Sequence, residues 1–230
     1  MKQLKAISYP RSGVSIFCRL LEDYYEEKKR NNKAYFCNSV GCCGHKQPCA
    51  KTKNFDLDLI YMKNHDFGSK IQNIVDPDII HVILYRKSAL EQMNAYFRYS
   101  LDGKKYMEPH NRKDDYQHSG RRGQFIGQLT RKANFVSYRA FTQKWVYDNN
   151  NPYTYFLEYD DYMSDPLKHM SNIIKIIDGQ VDTERLGQII TKHNVKKHFD
   201  IKESVYHIEN FCETYGLHDV EFDPANRFLN

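Results

Sequence analysis

Short apolar runs that do not alternate with polar residues are what most constrain the fold of this chain. Ile79-Ile80-His81-Val82-Ile83-Leu84-Tyr85 carries apolar side chains at both odd and even positions. A strand of that kind has to be covered on both faces, as strands are in a mostly parallel sheet flanked by helices. Short segments rich in Ile, Val, Leu and Tyr place further strands near residues 3–8, 33–36, 59–62 and 153–158. Between and after them, helices are expected near 14–30, 87–102, 124–148, 166–177 and 182–194. The expectation is an α/β fold, a mostly parallel central sheet with helices on both faces, and a ligand outside the carboxyl ends of the strands.

The helices have local support. Asp165-Pro166 reads as an N-cap followed by proline in the first helical position, and Met170, Ile173, Ile174 and Ile177 then form one apolar face. Asp178-Gly179 closes that helix. Between 124 and 148, Phe125, Leu129, Phe135, Tyr138, Phe141 and Trp145 make a stripe that reads as core packing. There is no internal repeat and no linker, so the 230 residues read as a single domain. Its two long irregular stretches are a Cys-rich loop at 37–54 and a polar loop at about 102–122 over the site's rim.

The first strand turns into the first helix through Tyr9-Pro10-Arg11-Ser12-Gly13-Val14-Ser15. A strand that bends through Pro and Gly into a helix presents unpaired amide N–H groups to an anion. Gly13 lets the backbone approach a bulky oxyanion, Ser12 and Ser15 offer hydroxyls, and Arg11 supplies a permanent cation able to bond two oxygens. The turn lacks the Gly-Lys-Ser/Thr of the Walker A pattern. It reads as a phosphate cradle of another kind.

Tyr9-Pro10-Arg11-Ser12-Gly13 resembles the Tyr-Pro-Lys/Arg-Ser-Gly loop of the sulfotransferases that use 3'-phosphoadenosine 5'-phosphosulfate, PAPS. Three further segments resemble the same family in the same order. Tyr61-Met62-Lys63-Asn64-His65 is similar to its Lys-Thr-His segment, and the strand ending in Arg86 to the strand whose Arg binds the 3'-phosphate. Tyr155-Phe156-Leu157-Glu158-Tyr159-Asp160-Asp161 with Asp165-Pro166 is similar to its Tyr-Glu-Asp-Leu and Asp-Pro signature. Together they span roughly residues 4 to 178. Where the family has a Ser eight positions after that Arg, this chain has Asn94, whose amide can donate to a phosphate oxygen. The family's late Arg-Lys-Gly has no counterpart here, because Arg121-Arg122-Gly123 precedes Tyr159 in the chain.

The resemblance implies a P-loop NTPase-like sulfotransferase fold and transfer of a sulfuryl group from PAPS to an acceptor hydroxyl, with no metal required. It implies that His65 is the general base, that Lys63 stabilises the sulfuryl oxygens, and that Arg11 stabilises the leaving oxygen. The nucleotide is then bound by Arg11, Ser12, Gly13, Val14, Ser15, Arg86, Asn94 and Tyr159, with Tyr159 near the adenine. The partners expected are the nucleotide and a hydroxyl acceptor, a glycan or a small molecule. A P-loop-type nucleotide kinase and a catalytically silent nucleotide-binding protein on the same fold remain the alternatives.

Composition excludes some classes. The net charge is only +5, from 34 Lys and Arg against 29 Asp and Glu, which does not point to a nucleic-acid binder. No stretch approaches the roughly 20 apolar residues that span a bilayer, and the chain opens on a strand instead of a signal region. The expectation is a cytoplasmic protein with no membrane partner. Cys37, Cys42, Cys43, His45 and Cys49 cluster in the Cys-rich loop. A reduced substrate-side loop is the first reading; a local disulfide, disfavoured in a reducing compartment, and a zinc knuckle, whose geometry adjacent Cys42-Cys43 strains, compete with it.

Overall fold

The computed structural model describes residues 1–8, 12–38, 56–64, 77–86 and 152–195. Within them five strands form one sheet: β1 (Lys2–Ser8), β2 (Ala34–Asn38), β3 (Leu59–Asn64), β4 (Ile79–Tyr85) and β5 (Thr154–Glu158). Their order is β2-β3-β1-β4-β5, and every neighbouring pair is parallel. All five fall near where the apolar runs place them, but β2 runs on through Cys37, which is buried in the sheet beside Met62 and not in the loop expected to begin there.

The described helices are α1 (Val14–Tyr24), α2 (Glu26–Arg30), α3 (Tyr159–Ser164), α4 (Pro166–Asp178) and α5 (Thr183–Lys192). Side chains alternate across a strand, so Leu4, Ala6, Leu59, Tyr61, Ile80, Val82, Leu84 and Leu157 share one face of the sheet. They pack with Val14, Phe17 and Leu21 of α1, Tyr162 of α3, Ile173 and Ile174 of α4, and Leu186 of α5 in a single core. Each fully buried Leu or Ile there contributes roughly 2 kcal/mol of transfer free energy. Ile7, Ile60, Met62, Ile83 and Phe156 belong to the opposite face and are buried as well. Both faces of the sheet are therefore covered, although the helices expected near 87–102 and 124–148 lie outside the described residues.

Two helices depart from expectation. The segment 14–30 is interrupted at Tyr25, whose ψ turns to 17°, and its buried ring meets Tyr24 edge-on at 5.2 Å. Helix α3 was not expected at all. It starts immediately at the end of β5, because the Glu158 carboxylate accepts from the N–H groups of Asp160 and Asp161 at 2.6 and 2.9 Å. Six residues are too few to show a helical period.

The other ends match the sequence reading. Asp165 caps α4 by accepting from Lys168 N–H at 3.0 Å, Pro166 takes the first helical position, and Gly179 ends it at φ 79°. Lys2 at the start of β1 donates to the carbonyls of Ile176 and Ile177, at 2.8 and 2.7 Å, placing a cation at the helix C-terminus. Asp182 caps α5, and Asp23 of α1 accepts from Lys192 at 2.8 Å. No described helix is long and apolar enough to cross a membrane.

Candidate functional site

In this strand order β1 feeds β2 on one side of the sheet and β4 feeds β5 on the other. Connections that leave in opposite directions open a crevice at the carboxyl ends of β1 and β4, and an open α/β sheet binds ligands there. The cradle, Lys63, Arg86 and Tyr159 all come from that edge.

Gly13 is the N-cap of α1, at φ 82° and ψ 1° in the left-handed region. It offers no side-chain acceptor to the first-turn N–H groups, and that turn contains no acidic residue. No acidic residue of its own first turn therefore offsets the positive end of the helix at the crevice. Ser12 is buried, whereas Ser15 is exposed. From the end of β3, Lys63 donates to the Ser15 hydroxyl at 3.2 Å. This brings a primary ammonium to the mouth of the cradle.

Arg86 follows β4 and Tyr159 follows β5. Since Tyr85 pairs with Glu158, the next two residues leave the sheet side by side. The Arg86 guanidinium lies over the Tyr159 ring at 3.7 Å from its centroid, a desolvated cation–π contact. Arg86 is only 2% exposed and Tyr159 7%. The same ring borders the cradle: a Cβ on Gly13 would sit 3.0 Å from Tyr159 Cδ2 and 3.2 Å from Cε2.

The ionisable groups beneath the crevice are set by burial. Burial pushes the Cys18 thiol up to about 12, against the lowering effect of its contact with the Tyr61 hydroxyl. It stays protonated and enclosed, so it is no nucleophile. Burial also raises the Glu158 carboxyl, opposed by the two N–H groups it accepts. Among the described residues no cluster of His, Cys, Asp or Glu could hold a metal ion.

Of the predicted site residues, Ser12, Gly13, Val14, Ser15, Lys63, Arg86 and Tyr159 are brought to one edge of the sheet. Arg11, His65 and Asn94 lie outside the described residues, as do Cys42, Cys43, His45 and Cys49 of the Cys-rich loop. Glu158, which fixes the start of α3 and so the position of Tyr159, was missed. Glutamate is not a common N-cap, so nothing in the pattern marked it.

A parallel sheet in this order, with a glycine bend leading from its central strand into a helix, defines a P-loop-like α/β fold of the sulfotransferase type. Mouse sulfotransferase SULT7A1, in a structure complexed with PAP, matches with a TM-score of 0.55 at 13% sequence identity, over 83% of this chain and 62% of that one. Retinol dehydratase, in complex with androsterone and inactive cofactor PAP, matches with a TM-score of 0.45 at 13% identity, over 84% and 64%. The chain thus spans less than two thirds of the length of either structure. No protein-family model and no curated protein matches its sequence.

Proposed function

We propose that this protein transfers the sulfuryl group of PAPS to an acceptor hydroxyl. The observation that carries the reading is the convergence at one sheet edge of an uncapped glycine bend, a lysine held at its mouth and a buried arginine on the neighbouring strand. Two separated cationic sites on a scaffold of this fold suit a nucleotide with a phosphate at each end. In this reading the first-turn amides of α1 with Ser12 and Ser15 hold the 5'-phosphate, and Arg86 with Asn94 holds the 3'-phosphate.

Sulfuryl transfer resembles phosphoryl transfer in its demands. The acceptor oxygen attacks sulfur in line, the S–O bond to the 5'-phosphate breaks, and charge grows on the leaving oxygen. Arg11 stabilises that oxygen and Lys63 the sulfuryl oxygens. His65 takes the acceptor's proton, as an imidazole can near neutral pH. The acceptor class we propose is a hydroxyl of a carbohydrate or small molecule.

A thermal-shift titration tests the reading. Adenosine 3',5'-bisphosphate without magnesium should raise the melting temperature. A shift seen only with ATP and magnesium would replace this reading with a kinase. The His65→Ala variant should retain bisphosphate binding and lose at least about 100-fold in sulfate transfer to the best acceptor of a panel of glycans, phenols and steroids. Full activity in that variant would remove His65 as the base.

A further inference from the structure

We propose that Tyr159 is a positioning residue that couples the two ends of the nucleotide site, acting through its ring rather than its hydroxyl. The inference rests on the nucleotide reading above and adds to it a route by which one end of the site senses the other.

Tyr159 touches both anion-binding elements. Its π-face carries the Arg86 guanidinium at 3.7 Å, and its Cδ2 and Cε2 atoms occupy the space into which a Gly13 Cβ would project. Met163, one turn further along α3, lies 3.5 Å from the same point, so the bend rests against α3 at two places. The ring itself is anchored. It is the first residue of α3, and the Glu158 carboxylate fixes that turn through two backbone N–H groups. Below it, Tyr162 is fully buried and packs edge-on against Phe17 of α1 at 6.3 Å.

The Tyr159 face gives the guanidinium, which is 2% exposed, one rigid and desolvated surface that helps to define its direction. A glycine at φ 82° has a wide range of conformations open to it, which a neighbouring ring narrows. One plate therefore bears on both the aim of Arg86 and the shape of the cradle. A phosphate that orders either element leaves less to be ordered for the second, which is positive coupling between the two ends.

Isothermal titration with adenosine 3',5'-bisphosphate and with adenosine 5'-monophosphate tests this on the full chain. Tyr159→Leu is expected to bind the bisphosphate about 10-fold more weakly, and Tyr159→Phe to restore binding to within about 3-fold of the original chain. Should the leucine variant fail to fold, Tyr159→Met takes its place. Arg86→Lys keeps the charge and loses the planar stack. It is expected to weaken the 5'-monophosphate, which has no phosphate for residue 86, by about 3- to 5-fold. An unchanged 5'-monophosphate affinity in Arg86→Lys would overturn the coupling, and a phenylalanine variant as weak as the leucine one would assign the effect to the hydroxyl. Failure of the unsubstituted chain to bind the bisphosphate would instead refute the nucleotide reading itself.

Discussion

Gly13 meets two constraints at once. Its φ of 82° costs a residue with a Cβ about 1–2 kcal/mol, and that Cβ would also press into the Tyr159 ring at 3.0 Å. Gly13→Ala is therefore expected to lower stability by about 1–3 kcal/mol in denaturant unfolding and to abolish bisphosphate binding. His81 sits within β4, where burial and then Lys5, its register partner on β1, hold its pKa down to about 4. The unfolded chain, with a His pKa of 6.5, binds the proton more readily. The stabilisation is complete above pH 6.5 and is lost as pH falls toward 4, by up to about 3 kcal/mol. Replacing His81 with Gln should flatten that part of the stability profile, and an unchanged slope would show that His81 does not govern it. At this scale the places of Lys63 and Arg86 at strand ends were legible in the apolar runs, while the roles proposed for them come from the resemblance of their segments to sulfotransferase motifs. The contacts of Tyr159 were not, since they join residues far apart in sequence.

The helices show how far local signals reach. The α4 boundaries follow from Asp165-Pro166 and Gly179, whose roles are decided within a few residues. Asp165→Ala removes the acceptor for Lys168 N–H and should cost about 1 kcal/mol, read as a lower thermal midpoint without loss of the fold. The break at Tyr25 and the short α3 depend instead on tertiary context. Tyr25 turns its ring into the core, and α3 exists because a buried glutamate at the end of β5 caps it. Apolar periodicity spans both features without recording either.

At the scale of the molecule, the positions of the five strands among the described residues were legible in unalternating apolar runs, and the α/β class followed from their burial on both faces. Their order was not, because the pairing of β1 with both β3 and β4 brings together segments more than fifty residues apart. That order places the glycine bend and Arg86 on neighbouring strands at one edge, and the proposed function depends on it. The most direct test is a crystal structure of the chain grown at saturating adenosine 3',5'-bisphosphate. One nucleotide is expected across the carboxyl ends of β1 and β4, with its 5'-phosphate on the first-turn amides of α1 and its 3'-phosphate on Arg86. A nucleotide bound elsewhere, or a crevice left empty while the nucleotide is in excess, would contradict it.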